Sequence, residues 1–286
     1  MTQRATACVV LAIALAAVPA ERPLAAQDLP AYLRDRGTGV RTSLLGTYVR
    51  EGELLVYPFF EWYADGNLEY KPSELGYGLS EEDYRGRYRA SEGILFFGYG
   101  VTPDLALEFE AAVISAELRT SVQDTSSARP VAVKESGLGD VEGQLRWRFQ
   151  RETATRPELF TYVGTVLPLQ KTKRLIGTQD WEVFFGLGLT RGFRWGTVTV
   201  RAAGEYARAA TPKFDAGEYA IEYLRRLSPA WRVVAAIEGN QVDEVSLLTE
   251  LQWHLSPHAL IKLNSGLGLT TNATDFAPEV GIMLSF

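Results

Sequence analysis

The sequence predicts an all-β fold: an antiparallel transmembrane β-barrel of about 12 strands, preceded by a cleaved signal peptide. Three observations carry that expectation. Residues 1–26 have the layout of an export signal. A series of runs with two-residue alternation of apolar and polar side chains follows. The last of these runs, Asp275 to Phe286, puts Phe276, Pro278, Val280, Ile282, Leu284 and Phe286 on one face and ends the chain on an aromatic residue.

In the first segment Arg4 is the charged start and Ala7 to Val18 is an apolar run too short to cross a bilayer as a helix. Cleavage follows either Ala20 or Ala26, the second leaving Gln27 at the front. Cys8 lies inside this run, so the mature chain has no cysteine, which excludes disulfides and thiolate metal sites. No later segment is apolar for long enough to form a transmembrane helix. Loss of Arg4, Arg22 and Glu21 leaves 27 basic and 34 acidic residues, a net charge of 27 − 34 = −7, which gives no electrostatic footprint for nucleic acid. Glycine (26), and tyrosine with phenylalanine (13 each), are abundant, as closed sheets with aromatic rims require.

After an arm at 27–52, the barrel is expected over 53–286, as runs at Glu53–Tyr63, Ala90–Val101, Asp104–Leu118, Asp140–Phe149, Glu158–Pro168, Trp181–Phe193, Gly196–Tyr206, Asp215–Leu227, Ala230–Gly239, Asp243–Leu255, His258–Leu269 and Asp275–Phe286. The third run opposes Leu105, Leu107, Phe109, Ala111 and Val113 to Ala106, Glu108, Glu110 and Ala112. The fourth opposes Val141, Gly143, Leu145, Trp147 and Phe149 to Asp140, Glu142, Gln144, Arg146 and Arg148. In the tenth, Val245, Leu247, Leu251 and Trp253 face away from Glu244, Glu250, Gln252 and His254.

A soluble sandwich also alternates, and loop lengths decide against it. A short turn with proline recurs at Val101–Asp104, Leu227–Ala230 and Leu255–His258. Proline presets the turn dihedral, and the preceding Ser or Thr bonds the turn backbone. Counting strands puts all three turns at one end, with both termini, and the long loops Ala64–Arg89 and Arg119–Gly139 at the other. Tyr99, Trp147, Phe193, Trp195, Trp231, Trp253 and Phe286 gather at the short-turn end, where an interfacial girdle belongs. Closure follows because lipid cannot satisfy a free sheet edge.

If the apolar face meets lipid, the other face lines the lumen. It carries Glu108, Glu110, Glu142, Arg146, Arg148, Glu182, Arg201, Glu205, Glu222, Glu238, Glu250, Lys262 and Glu279. So many charges are either paired into a network that fills a narrow barrel or wetted along a water-filled path, and filling is the default at this size. Gly98 and Gly100, Gly186 and Gly188, and Gly266 and Gly268 clear one wall, for space or for curvature. Pro58 and Pro278 interrupt the first and last runs, which must pair to close the cylinder. A weak or bulged seam that allows lateral escape of an apolar solute is one reading, and prolines at bulges with no transport role the other.

Enzyme chemistry is not expected. Only His254 and His258 are present, both near the short-turn end, with no serine placed as a nucleophile and no metal-ligand spacing. No cofactor is implied. The arm at 27–52 contains the turn-like Gly37–Ser43 and is expected to pack at or in the periplasmic mouth; Leu44–Val49 is a candidate extra strand that would upset the even count, or a plug entering the lumen from the periplasm.

Ser136-Gly137-Leu138-Gly139-Asp140-Val141, followed by Gln144-Leu145-Arg146-Trp147-Arg148, resembles the "MetA-pathway of phenol degradation" outer-membrane family. Leu167-Pro168 closing the next run, and the Gly-rich Phe185–Leu189 after it, extend the resemblance over roughly Ile94 to Phe286. It implies a barrel that passes aromatic or hydrophobic compounds, and carries over no catalytic residue. Gly137 and Gly139 permit backbone geometry that side chains forbid, and Asp140 is placed to accept hydrogen bonds from the loop entering its strand. The expectation is an outer-membrane channel or transporter for small molecules. Its partners would be outer-membrane lipid and, through the strand ending at Phe286, the barrel-assembly machinery. The competing class is a structural or surface-binding barrel with a closed lumen.

Overall fold

The computed structural model describes residues 29–170, 172–178, 180–208 and 213–286; the expected signal peptide at 1–26 lies outside them. Twelve strands form the wall: β1 Leu54–Tyr70, β2 Tyr84–Thr102, β3 Leu105–Arg119, β4 Ala132–Gln150, β5 Glu158–Leu167, β6 Glu182–Phe193, β7 Gly196–Ala207, β8 Tyr219–Arg226, β9 Trp231–Gly239, β10 Val245–Ser256, β11 Ala259–Gly268 and β12 Phe276–Ser285. Each pairs antiparallel with the next, and β12 pairs with β1, so the sheet closes on itself and has no edge along its main ladder. Lys213–Asp215 extends the outer end of β7 as a short added rung.

The alternation has the physical consequence it must have in lipid. Phe60, Leu107, Phe185, Leu187, Ile221, Val280 and Ile282 stand exposed on the outside. A belt of that kind is untenable in water and is the normal exterior of a membrane barrel. The seven aromatic residues near the short-turn end are all exposed. Several stack flat on neighbours: Trp231 on Trp253 at 5.5 Å, and Phe193 on Trp195 at 4.7 Å between ring centres. They form a girdle at the level of the short turns.

The strands are longer than sequence alternation indicates at the outer end. β1 runs on to Tyr70, β2 begins at Tyr84 and β4 begins at Ala132, so the two long outer loops shrink to 71–83 and 120–131. The extensions carry Asp65, Asn67, Arg85, Arg87, Lys134 and Glu135. Above the lipid the outward face turns charged, as at Arg85 and Arg87, while the inward face buries Tyr70, Tyr84 and Leu118, so the apolar-out pattern of a lipid-facing strand is lost while the ladder continues. Register slips at Asp65/Leu68 and, opposite the Gly137–Asp140 stretch, at Ala111/Val113. Leu44–Val49 does not join the wall. Only Tyr48–Val49 is extended, pairing with Val40–Arg41 in a two-stranded hairpin inside the barrel, and the even count stands.

The β1–β12 seam keeps one register from Phe276↔Ala64 to Ser285↔Leu55 with no shift, but partners are missing where Pro58 and Pro278 stand. Each proline removes a ladder donor, so the seam is interrupted twice and not bulged.

At the short-turn end, Asp104 takes 2.7 Å bonds from Arg151 Nε and Nη2 and a 2.9 Å bond from Arg148 Nε. Those contacts, Arg151 foremost, hold its carboxyl below the usual carboxylate range. A depressed folded-state value stabilises above the unfolded value, near about 4, and that contribution vanishes as pH falls through the folded one. The melting temperature of Asp104→Asn is therefore expected to lie below that of the parent at pH 7, and the gap to close as both are titrated toward pH 3. A gap independent of pH would contradict this.

Candidate functional site

The lumen has two unlike walls. On β1, β2 and β3 the inward side chains are chiefly apolar. From the outer end inward, Tyr70, Tyr84 and Leu118 form one cluster, Ala90 and Ala116 a second, and Phe59, Ile94, Phe96 and Tyr57 a third. Leu55 and Met283 continue the stripe toward the periplasmic mouth. One acidic row crosses it, where Glu279, Glu61 and Glu92 lie directly opposite one another on β12, β1 and β2. The rest of the circumference carries most of the inward charges, interrupted by Leu224, Val234 and Ala236, which pack on Leu45, and by Phe160 and Tyr162.

The amino-terminal segment, 29–53, occupies the lower lumen and binds that charged wall. Arg36 reaches Glu152 at 2.7 Å and Glu158 at 2.8 Å, with all three side chains sealed from solvent. Burial alone would lower the Arg36 pKa. The Glu158 charge and the bonds to both carboxylates outweigh it and hold the guanidinium above its ordinary value. Arg41 meets Glu222 at 2.5 Å, and here too the carboxylate overrides burial and raises the pKa. Burial pushes the Tyr48 phenol up to about 12.

At the tip of the hairpin, Ser43 N–H donates to Glu108 at 2.9 Å and Gly46 N–H to Glu222 at 3.3 Å. The Leu45 carbonyl accepts from Lys262 at 3.1 Å. Arg148 donates to the carbonyls of Thr38 (3.1 Å) and Gly39 (2.8 Å) while also meeting Glu158 at 3.1 Å. Val40 and Val49 pack on the apolar stripe.

All thirteen lumen residues singled out in the sequence lie on the inward face, but they do not form one network. Glu108, Arg146, Arg148, Glu222, Glu250 and Lys262 are gathered around the amino-terminal segment. Arg146 pairs with Glu108 at 3.2 Å and lies over the Tyr162 ring at 4.6 Å, and Lys262 pairs with Glu250 at 2.8 Å. Higher up, Arg201 pairs with Glu238 at 2.6 Å and Glu218 at 3.3 Å. Glu110 and Glu142 face each other across β3 and β4, like charge against like. Glu279 accepts from the Tyr57 hydroxyl. Glu182 and Glu205 lie near the outer end of β6 and β7.

Glu152, Glu158, Arg36 and Arg41 escaped sequence reasoning. Glu158 opens a run and Glu152 lies in a turn, so neither carries a period. Glu61 and Glu92 were legible from alternation alone, since they share a face with Tyr57 and Ile94.

The glycine pairs receive bulk. A Cβ on Gly186 would come within 2.2 Å of the Tyr162 ring, and one on Gly188 within 2.0 Å of the Phe160 ring. These rings lie flat over the neighbouring strand. Gly188→Ala is expected to cost about 1–3 kcal/mol by overpacking, read as a lower unfolding midpoint in denaturant. An unchanged midpoint would mean that the ring moves freely.

At the outer end, residues 172–178 of the segment between β5 and β6 reach over to β2, β3 and β4. Ile176 is buried against Ala90 and Ala116. The Leu175 N–H donates to Glu135 at 2.7 Å and the Thr178 N–H to Asp140 at 2.6 Å. Asp140 thus anchors a different loop from the one entering its own strand, because β4 starts at Ala132, well before it. Gly137 and Gly139 sit inside that strand, next to the register slip.

No family model matches the chain, and no curated protein matches it in sequence. Solved structures do match in shape. An outer-membrane channel from Pseudomonas putida F1 aligns at 12% identity with a TM-score of 0.58, over 82% of this chain and 96% of that one. The translocator domain of the autotransporter NalP from Neisseria meningitidis aligns at 10% identity with a TM-score of 0.49, over 83% and 90%. The toluene transporter TodX of Pseudomonas putida aligns at 9% identity with a TM-score of 0.38, over 82% and 87%. The architecture is that of a 12-stranded outer-membrane barrel, and with its apolar belt the chain is built for that membrane.

Proposed function

We propose that this chain is an outer-membrane channel for small molecules, hydrophobic or aromatic ones in particular, as the family resemblance of the Ser136–Val141 stretch implies. One observation carries the solute class. The stripe of Tyr70, Tyr84, Ala90, Ile94, Phe59, Phe96 and Leu55 faces inward over the height of the wall. Lipid already solvates the outside of a barrel, so apolar side chains turned inward need partners of their own. They are covered below by Val40 and Val49 of the amino-terminal segment and above by Leu175 and Ile176 of the outer loop. A solute that displaces these covers meets an apolar track beside the interrupted β1–β12 seam. The fold shared with the Pseudomonas channel gives the reading its class.

The filled lower lumen favours a second reading, a barrel that stays shut and serves as structure or surface. Purified full-length protein in planar bilayers separates the two: discrete conductance steps support the channel, and silence over a range of voltages and solutes supports the shut barrel.

Lateral exit has its own test. Val56 and Leu284 are direct partners across the seam. The double variant Val56→Cys/Leu284→Cys, oxidised, is expected to abolish uptake of toluene by outer-membrane vesicles and to leave ion conductance unchanged, with reductant restoring uptake. Undiminished uptake with the seam locked would remove the lateral route.

A further inference from the structure

A cavity of about 610 Å³ opens at the periplasmic mouth, between the amino-terminal segment and the lower ends of β8 to β12. Its charges do not balance. Of the cations that line it, Arg36 is consumed by Glu152 and Glu158, and Arg50 by Glu53 in a two-pronged pair at 3.0 Å. Glu53 also accepts from Ser285. Arg226 and Arg232 are different. They face each other directly across β8 and β9, an arrangement that destabilises a sheet unless something neutralises it. Among the described residues no carboxylate stands within ion-pair distance of either guanidinium.

The nearby Asp35 is turned to other work, accepting the Arg226 backbone N–H at 3.0 Å and lying 3.6 Å from Arg225. Arg232 Nε and His254 Nε2 are both buried without a partner. Buried donors of this kind are normally satisfied, and two opposed guanidinium groups are suited to a planar carboxylate. The other side of the cavity is apolar, made by Leu55, Leu260 and Met283.

We infer that this cavity is a binding site for a small organic carboxylate with an apolar body. The carboxylate lies between Arg226 and Arg232, with His254 beside it, and the body rests on Leu55, Leu260 and Met283. The site stands whether or not the lumen conducts, since it opens at the periplasmic mouth and is complete with the amino-terminal segment in place.

Calorimetric titration of the full-length protein in detergent tests it, with benzoate, benzamide, acetate and inorganic phosphate as probes. Benzoate is expected to bind saturably. Benzamide lacks the charge and acetate the body, and both are expected to bind at least about tenfold more weakly. The double variant Arg226→Gln/Arg232→Gln is expected to lose benzoate affinity at least about tenfold. Its melting temperature should be equal or higher, because two opposed charges are gone; that readout keeps loss of binding distinct from loss of fold. Benzoate binding undiminished in the double variant, or no saturable binding to the parent, would overturn the site. Phosphate binding as tightly as benzoate would overturn the organic-carboxylate class.

Discussion

Glu158→Ala is expected to open the lower lumen. Glu158 is the hub of the amino-terminal anchorage, accepting from Arg36 at 2.8 Å and from Arg148 at 3.1 Å while almost wholly buried. Removing one partner from a buried pair leaves an uncompensated charge and costs about 3–5 kcal/mol. Two groups feel the loss, and their remedies differ. Arg148 belongs to the wall and keeps Asp104 at 2.9 Å. Arg36 belongs to the segment, keeps only Glu152, and is relieved fully when the segment leaves the lumen for water. The penalty therefore falls on the occupied state, and at about 1.4 kcal/mol per decade it shifts the occupied-to-empty ratio by about two to three and a half decades. Larger conductance steps in planar bilayers and new tryptic cleavage after Arg36 and Arg41 are the expected results. Steps of parental size with the segment still protected would mean that it is not held by this anchor.

Why the barrel was legible and its contents were not follows from where each signal is written. A strand in lipid must alternate, so β10, with Leu247, Leu251 and Trp253 outward and Glu250, Gln252 and His254 inward, carries its own placement. The turns at Pro103, Pro229 and Pro257 fixed the parity, because proline and a preceding hydroxyl suit a tight reversal. The site is written between segments far apart in sequence. The Arg36–Glu158 and Arg41–Glu222 pairs join residues separated by 122 and 181 positions. Nothing local in Gly37–Ser43 distinguishes a turn that enters a lumen from one that lies on a surface.

The inner charges could be assigned to a face but not sorted. Alternation gives the side of Glu108 and Glu110 equally. Glu108 pairs diagonally with Arg146 of the next strand and accepts from Ser43 of the hairpin, while Glu110 faces Glu142, and alternation tells none of this. The outer extensions were lost for a different reason: above the lipid the outward face is charged and the apolar side chains Tyr70, Tyr84 and Leu118 turn inward, so the apolar-out pattern ends while the ladder goes on.

Gly100→Val should empty the lower lumen without creating a buried unpaired charge, and this separates occupancy from electrostatics. A Cβ on Gly100 would lie 1.9 Å from the Arg50 carbonyl oxygen, which is backbone and cannot swing aside as a side chain can. Gly100 also exchanges backbone hydrogen bonds with the segment, taking one from Gly52 at 2.7 Å and giving one to Glu53 at 3.0 Å. Across the lumen, Gly192 makes a second close approach, to the Tyr32 carbonyl, again at 1.9 Å for a Cβ. The segment is thus held by main-chain contact on two walls. The wall itself tolerates a β-branched residue in a strand, so the clash must be relieved by moving the segment. Gly100→Val and Glu158→Ala should then give conductance steps of one size, since both empty the same space. Their stabilities should differ, because Gly100→Val leaves the Arg148–Glu158 pair on the wall intact. Steps of two different sizes would show that the segment retreats by different distances and that the lower lumen is not a single space under its control.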